Sequence, residues 1–347
     1  MHTSGRLALG AVGAVAAGLG YAYAESKMFT LRRVTVPVLP ATTAGAKPIR
    51  VLHLSDLHLS PEQARKLTWL RSLSALQPDL VVNTGDNLAH RDAVTPLLDA
   101  LGDLLDTPGV FVNGSNDYFA PVLKNPVRYL LPDARLAEPL QVDLPWEQMV
   151  AGFEASGWHN LNNRRAQVTL RDGRQLTFVG TDDAHLDRDK FPPSACRTRP
   201  EPVGPDVPVQ ADDCHPAHNG PCHPARGEAE SQDLPALLHL GVTHAPYLRV
   251  LSAFQADGVQ LALAGHTHGG QLRVPGFGAL VTNCDLDRRR AAGLSGWPGA
   301  RPDSPLGRDS LWLHVSAGAG TSPYTPVRFA CRPSATLLTL TPREYLG

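Results

Sequence analysis

Residues 49–60 read IRVLHLSDLHLS, a stretch in which an apolar strand ends just before two residues that can bind a metal ion. Residues 49–54 are rich in branched apolar side chains and predict a buried strand. Asp56 and His58 follow it, separated by a single leucine. Residues 80–87, LVVNTGDN, repeat the arrangement, with a short apolar strand followed by Asp86. Two such units predict a sheet with candidate metal ligands at the carboxyl ends of its strands.

On either side of these units, apolar strands alternate with amphipathic helices. Helices are predicted over residues 61–76, with Ser60 as N-cap, and over 92–105, 146–156 and 247–256. Strands are predicted over 34–39, 110–113, 237–243, 259–264, 311–316, 327–331 and 336–340, with a hairpin around Asp172-Gly173. The alternation predicts a layered α/β core with parallel pairing.

The composition is that of a folded chain without overall attraction for polyanions. Of the 347 residues, 42% are hydrophobic and 19% are charged, so a sizeable core can be buried and a disordered polyelectrolyte is excluded. The formal net charge of −1 gives no electrostatic case for nucleic-acid binding.

Residues 1–28 form an apolar N-terminal segment that resembles an anchor or a signal sequence. Leu7 to Ala24 is a run of 18 uncharged residues, at the lower length limit for a membrane span. Three interpretations stay open: a signal peptide cut after Ala24, an uncleaved anchor, and an apolar helix on the protein or on a bilayer. We favour an uncleaved segment that associates the protein with a membrane. The alternatives are an exported and a cytoplasmic protein.

Residues 191–233 interrupt the alternation with nine prolines and almost no apolar periodicity, and they predict a disordered insertion. Its Cys214, His215, His218, Cys222 and His223 are zinc-ligand types, but their spacing matches no zinc motif, and incidental loop residues are the favoured interpretation. The five cysteines of the chain define no disulfide framework.

Polar residues follow the apolar strands at five places, and the carboxyl ends of neighbouring strands converge on one crevice. The candidates are Asp56, His58, Asp86, Asn116, His244, His266 and His268. Carboxylates, imidazoles and an amide together suit Mn, Fe, Zn or Co better than Mg or Ca. A tetrahedral ion needs about four ligands, so this set predicts two divalent ions.

This pattern resembles the calcineurin-like metallophosphoesterase superfamily, with its motifs D-x-H, G-D, G-N-H-D/E, a lone His and G-H-x-H. It is most similar to the YkuE-like phosphoesterases, with motifs from Arg50 to Gln271. The resemblance implies an α/β domain over residues 29–347, built as two packed mixed β-sheets flanked by helices in a four-layer sandwich. It also implies a hydrolase that cleaves phosphoesters with two metal ions, Mn, Fe or Zn.

Carried over residue by residue, the resemblance implies that Asp56, His58 and His268 bind one ion while His244 and His266 bind the other. Asp86 would bridge the two ions, and a metal-bound hydroxide would attack phosphorus. Asp86 and Asn116 are therefore the catalytic candidates.

One motif departs from the family pattern, because Gly114-Ser115-Asn116-Asp117 stands where G-N-H-D/E is expected. Without gaps, Ser115 takes the place of the metal-binding Asn and Asn116 that of the catalytic His. Either Asn116 is the ligand after a shift of one residue, or Ser115 binds weakly. We favour Asn116, since an amide oxygen is the better donor to a hard cation. An Asn cannot give up a proton, so substrates with good leaving groups should be favoured.

Other polar residues near these motifs have ordinary interpretations as well. We expect His53 to be a packed core histidine, and His159 and His185 to be structural. Asp182-Asp183 is either a support for the ligands or an ordinary turn, with the turn favoured. Tyr118 and Phe119 either line a pocket or pack.

The predicted activity is hydrolysis of a phosphodiester or phosphomonoester on a small molecule or a lipid. The alternatives are a pyrophosphatase acting on nucleotides or lipid-linked substrates, and a metal-binding scaffold without turnover.

Overall fold

The computed structural model describes residues 2–43, 45–121, 143–193, 236–322 and 325–343, with side chains from residue 13 onward. Residues Pro193–Pro235 separate from the rest of the chain as a second unit. Apart from residues 191–193, the predicted disordered insertion and its candidate zinc ligands lie outside the described residues.

The first sheet has six strands, and the strands of stretches 49–60 and 80–87 lie side by side within it. In spatial order the strands are β1 (Thr30–Leu39), β14 (Ser334–Pro342), β2 (Ile49–Leu54), β3 (Leu80–Asn83), β4 (Gly109–Phe111) and β5 (His159–Asn160). From β2 to β5 the pairing is parallel, as predicted, whereas β14 runs antiparallel to β2. The carboxyl ends of β2, β3 and β4 therefore meet at one edge. A one-turn helix, α4 (Ser115–Tyr118), follows β4 along the chain.

The second sheet also has six strands and delivers the remaining motifs. In spatial order they are β12 (Gly293–Trp297), β13 (Leu311–Val315), β9 (Leu261–Ala264), β8 (Leu238–Val242), β7 (Gln175–Gly180) and β6 (Arg165–Thr169). The central strands are parallel and the two edge strands antiparallel, so both sheets are mixed. A separate two-stranded ribbon joins β10 (Arg273–Val274) and β11 (Gly278–Ala279).

Three buried apolar clusters hold the layers together. The central cluster fills the space between the two sheets with side chains such as Val51, Val82, Leu240 and Trp312. A second cluster packs helices on the outer face of the first sheet: α2 (Ala64–Ser72), α3 (Val94–Leu101) and α5 (Trp146–Ala155). The third packs α6 (Leu248–Ala256) on the outer face of the second sheet. The order helix, sheet, sheet, helix confirms the predicted α/β architecture of two packed mixed sheets.

Two local predictions are wrong. The helix expected from Pro61 begins only at Ala64, because residues 60–63 form a turn in which the Gln63 side chain accepts the N–H of Ser60 at 3.4 Å. Residues 327–331 form no strand, since only Phe329 makes an isolated bridge, to Leu272. Here Arg328 turns inward and is fully buried, which a regular edge strand would not allow.

The N-terminal segment is helical as α1 (His2–Glu25). Its last turn contacts the rest of the protein: the Glu25 carboxylate accepts the backbone N–H groups of Ala330 and Cys331 at 3.0 and 2.8 Å. Residues 13–21 are all exposed. Among the helices the structure describes, none combines the length and apolar character needed to cross a membrane.

Candidate metal centre

The loops that follow β2 and β3 run side by side and are joined through their backbones. Asp56 donates its N–H to the carbonyl of Gly85 at 2.8 Å, and His58 donates to the carbonyl of Asp86 at 2.9 Å. This pairing continues the parallel register beyond the sheet. It brings the Asp-x-His loop and the loop of Asp86 together at the carboxyl edge.

Five of the seven candidate ligands have left-handed backbone conformations. The φ angles of Asp56, His58, Asp86, His266 and His268 lie between 40° and 68°. Non-glycine residues rarely adopt positive φ, and such strain concentrates at functional sites. These five belong to the eleven non-glycine residues with positive φ in the described ranges, so the strain is concentrated here.

Four of these side chains form one compact, buried group. A ligand atom from each of Asp56, His58, Asp86 and His268 lies within 4.8 Å of the others. The Nε2 atoms of His58 and His268 face each other at 3.1 Å, and the Oδ1 of Asp56 lies 3.6 Å from the Nε2 of His268. Two carboxylates and two imidazoles that converge in this way are the ligand types of a divalent transition-metal site.

Asp86 also faces a second pair of histidines. Its Oδ2 lies 3.6 Å from the Nε2 of His58 and 3.4 Å from the Nε2 of His244. The imidazole of His266 is nearly perpendicular to that of His244, with centroids 5.2 Å apart. One carboxylate oxygen thus lies between two groups of imidazoles.

Backbone carbonyls orient the two histidines of the second group. The Nδ1 of His244 contacts the carbonyl of Thr84 at 2.7 Å, and the Nε2 of His266 contacts that of Asn283 at 3.1 Å. A carbonyl can only accept, so each contacting nitrogen carries a proton, and in the neutral imidazole the other nitrogen has the lone pair that can bind an ion. For His244 that other nitrogen is Nε2, which is buried and has no hydrogen-bond partner.

The divergent Gly114–Asp117 loop lies against Asp86. Asn116 donates its backbone N–H to the Oδ1 of Asp86 at 2.7 Å, and its side-chain nitrogen donates to the carbonyl of Phe119 at 3.2 Å. The amide oxygen is therefore the atom that remains to bind an ion. Asn116 is buried and Ser115 half-buried. Gly114 has no room for a side chain, because a Cβ there would lie 2.7 Å from the His244 ring and closer still to the Asp86 carboxylate.

Burial and charge set the protonation of the group. Burial lowers the pKa of His58 to about 4, and it also lowers the pKa values of His266 and His268. Burial alone would raise the pKa of Asp86, but the neighbouring His244 and His58 hold it below its usual value. Burial alone would lower the pKa of His244, but the Asp86 carboxylate raises it well above its usual value. Metal ions bind neutral imidazoles and ionised carboxylates, so an ion bound here would displace the second proton of His244.

Two buried cations that the sequence analysis did not single out support the ligand loops from behind. The ammonium of Lys66 donates to the carbonyls of Leu57 and His58 at 2.6 and 3.3 Å. The guanidinium of Arg328 contacts the Nδ1 of His268 at 3.1 Å and donates to the His268 carbonyl at 3.2 Å. Neither residue lies in a recognisable motif, so no local signal could have identified them.

Other polar residues surround the second group. Asp183 is fully buried, which raises its pKa to about 7, and its carboxylate accepts the N–H of His185 at 2.9 Å. The ring of His185 lies 4.6 Å from that of His266, so this histidine contacts the candidate centre although a structural role was expected. Asp182 accepts the hydroxyl of Tyr118 at 2.8 Å. Asp183 thus caps a turn, as favoured from the sequence, while Asp182 also binds Tyr118.

The donors present fit divalent metal ions. A buried imidazole nitrogen that lacks a hydrogen-bond partner, the Nε2 of His244, is rare in native proteins unless a ligand or an ion satisfies it. The Oδ2 of Asp86 is 3.4 Å or more from the nearest imidazole nitrogens, longer than an ordinary hydrogen bond. The chain thus contains a buried Asp/His group able to bind metal ions.

Comparison with known proteins gives a consistent result. Residues 49–270 match the family model described as "Calcineurin-like phosphoesterase". The chain is 26% identical to "Phosphodiesterase YaeI" of Escherichia coli (strain K12), with 94% of each chain covered. It is 21% identical to "Uncharacterized metallophosphoesterase YkuE" of Bacillus subtilis (strain 168), covering 95% of this chain and 93% of that protein. Among solved structures, TT1561 of Thermus thermophilus matches with a TM-score of 0.36 and 12% identity, covering 78% of this chain and 90% of that one.

Proposed function

The chain belongs to the calcineurin-like phosphoesterase family and is a metal-dependent hydrolase, and from that premise we propose that it cleaves phosphodiesters at a dinuclear metal centre. The observation that carries the proposal is the position of Asp86. Its Oδ2 lies between the Nε2 atoms of His58 and His244, which belong to separate groups of ligand types. A carboxylate in that position can bridge two cations.

This geometry supports the ligand assignment that the family resemblance implies. Asp56, His58 and His268 would hold one ion, His244, His266 and Asn116 the other, and Asp86 both. Mn, Fe and Zn all accept such a set. When bound, the ions would supply Lewis acidity toward the phosphoryl oxygens and lower the pKa of a water molecule.

The chain's own residues orient and shield this chemistry. The carbonyls of Thr84 and Asn283 fix which nitrogen of His244 and His266 faces the centre. Lys66 and Arg328 hold the loops of His58 and His268 in place. The seven candidate ligands are at most 8% exposed, so competing water has little access.

Phosphodiesters are the preferred substrate class for two reasons. The relative from Escherichia coli that covers nearly the whole chain is named a phosphodiesterase. In addition, the Gly114–Asp117 loop contains no histidine that could protonate a poor leaving group. A phosphomonoesterase, a pyrophosphatase for nucleotides or lipid-linked substrates, and a scaffold without turnover are the alternatives.

Metal analysis joined to a substrate screen tests the proposal. We expect the purified protein to bind two equivalents of Mn, and to hydrolyse bis(p-nitrophenyl) phosphate faster than p-nitrophenyl phosphate. Asp86→Asn should lose the activity and at least one ion, whereas Asp103→Asn, an exposed carboxylate, should change neither. If wild type and Asp86→Asn hydrolyse diesters, monoesters and pyrophosphates equally slowly, the scaffold interpretation is correct.

We also propose that helix α1 associates the protein with a membrane. Residues 13–21 are apolar and exposed, although α1 does not qualify as a spanning helix.

A further inference from the structure

The exposed apolar side chains of the chain are concentrated on one surface beside the metal centre. Eleven large hydrophobic side chains are exposed among those described, and eight of them belong to α1, to residues 274–280 around the β10–β11 hairpin or to Phe329. The eight are Val15, Leu19, Tyr21, Tyr23, Val274, Phe277, Leu280 and Phe329, with exposures from 36% to 63%. We call this set the apolar surface.

Direct contacts make the apolar surface continuous. The rings of Tyr21 and Phe329 meet edge to face, with centroids 5.9 Å apart. Phe329 in turn bridges to Leu272, and its carbonyl accepts the N–H of Arg273 at 3.0 Å. The helix end is fixed to the same loop, because Arg328 donates its N–H to the carbonyl of Ala22 at 2.9 Å.

Basic side chains border the apolar surface. The guanidinium of Arg288 lies 4.6 Å from the ring centroid of Phe277, and the ammonium of Lys27 lies 5.1 Å from that of Tyr23. The charged residues of segments 13–29 and 272–290 are Lys27, Arg273, Arg288, Arg289 and Arg290 against Glu25, Asp285 and Asp287. The surface is therefore basic on a chain whose formal net charge is −1.

The apolar surface also adjoins the ligand loop. The hairpin begins at Arg273, five residues after His268, and a Cβ on Gly270 would meet Ala279 of the hairpin. The loop that follows the hairpin supplies the Asn283 carbonyl that orients His266. Whatever covers the hairpin is brought close to the metal centre.

From these contacts we infer that the apolar surface docks on an anionic lipid bilayer and presents the metal centre to a phosphoester at the bilayer surface. Exposed aromatic rings with adjacent basic groups match the headgroup region, where Tyr anchors and Lys or Arg attract anionic lipids. Two kinds of attraction together, apolar insertion and a basic patch, are what reversible peripheral binding requires.

The shape of the exposed helix favours a bilayer over a second copy of the chain. Nine consecutive residues, 13–21, are exposed, and with about 3.6 residues per turn they cover every side of the helix. A partner protein would cover one side and leave the others in water, whereas lipid surrounds an inserted helix. The inference rests on the proposed function only for its substrate class.

Vesicle sedimentation tests the docking without reference to catalysis. The full-length protein, with EDTA present, is incubated with phosphatidylcholine vesicles that do or do not contain phosphatidylglycerol. We expect stronger sedimentation with the anionic vesicles, weakened by salt. The double variant Val274→Ser/Phe277→Ser should lower the partition coefficient by about tenfold or more, given the area that two apolar side chains bury. Arg288→Ala should lower it by about fivefold on anionic vesicles only.

Leu306→Ser is the matched control. Leu306 is the most exposed large hydrophobic residue among those described, at 89%, but it lies between the end of β12 and the start of β13, at the sheet end opposite the metal centre. Its substitution should leave sedimentation unchanged. Equal losses in both variants, or no sedimentation with either vesicle, would overturn the inference. So would a concentration-dependent dimer that Val274→Ser/Phe277→Ser abolishes, because the occupant would then be a second copy.

The proposed docking on a bilayer and the proposed hydrolysis of phosphodiesters can be contradicted independently of each other. Vesicle binding without hydrolysis of any phosphoester supports the docking and contradicts the proposed activity. Hydrolysis of soluble diesters by a protein that ignores anionic vesicles contradicts the docking and leaves the activity intact.

Discussion

The carboxylate of Asp117 accepts the backbone N–H of Asp86 at 2.9 Å and thereby holds the loop of the candidate bridging ligand. The same carboxylate accepts the N–H groups of Asn87 at 2.7 Å and Gly114 at 2.9 Å. Asp117 is fully buried, and burial raises its pKa to about 7. Through these three hydrogen bonds, Asp117 joins the Gly114–Asp117 loop to the loop of Asp86.

Asp117→Asn is the first prediction. An amide has one acceptor oxygen where the carboxylate has two, and its nitrogen would face a backbone donor. We expect the variant to lose about 2 kcal/mol of unfolding free energy and about tenfold or more in metal affinity. Urea denaturation and competitive Mn titration measure the two effects. Asp103→Asn should show neither, and unchanged affinity in Asp117→Asn would refute the positioning role.

Gly114→Ala is the second prediction. A Cβ at this position would lie 2.7 Å from the Nδ1 and Cε1 atoms of His244. Either His244 or Asp86 has to move, so metal affinity should fall by about tenfold or more, with little change in the amount of folded protein. Gly20→Ala, on the exposed α1 with open space around it, is the control. Wild-type affinity in Gly114→Ala would show that the loop yields without disturbing the ligands.

The third prediction decides between Ser115 and Asn116. If the amide oxygen of Asn116 binds the second ion, Asn116→Ala should retain one equivalent of Mn and Ser115→Ala two. Inductively coupled plasma mass spectrometry of the purified proteins gives the stoichiometry. The reverse result would assign the ligand to Ser115, as the ungapped family pattern implies.

The sequence predicted that the candidate ligands meet at the carboxyl edge of the parallel strands. It did not predict the order of the remaining strands in the sheets. Asp56, Asp86 and His266 follow apolar strands directly, and parallel pairing from β2 to β4 is enough to bring the first two loops together. The place of β14 between β1 and β2 depends on pairing across the whole chain, which no local pattern encodes.

The two buried basic residues that support the ligand loops could not be predicted from local sequence either. Lys66 lies on α2 at a helical position that a sequence argument assigns to solvent, and it is buried because its ammonium reaches the carbonyl of Leu57. Arg328 lies in a stretch that predicts a strand, yet several carbonyl groups draw its guanidinium inward. Long-range polar contacts of this kind override local propensity.

The fourth prediction concerns the leaving group. Asn116 cannot donate a proton at neutral pH, so the leaving oxygen has to depart as its anion or receive a proton from elsewhere. We expect kcat/KM for aryl methyl phosphodiesters to fall steeply as the pKa of the phenol rises. A flat dependence in the wild type would show that another group protonates the leaving oxygen.

The fifth prediction is an acid destabilisation that arises between the two sheets. His53 on β2 and His314 on β13 are buried, and their Nδ1 atoms lie 2.9 Å apart. Burial lowers the pKa of His314 to about 3, so the folded state keeps it neutral, whereas the unfolded chain protonates it below its ordinary value. Stability is therefore complete above a pH of about 6.5 and is lost as the pH falls below it.

Between pH values of about 7.5 and 5.5, one such histidine should remove about 1.4 kcal/mol of unfolding free energy. His314→Gln lacks this contribution. The difference in unfolding free energy between wild type and variant should therefore be smaller at the lower pH by about the same amount. Other titrating groups contribute equally to both proteins, so their effects cancel in this difference. Urea denaturation in EDTA at both pH values measures it, so that metal release does not contribute. An equal gap at the two values would mean that His314 is protonated in the folded protein.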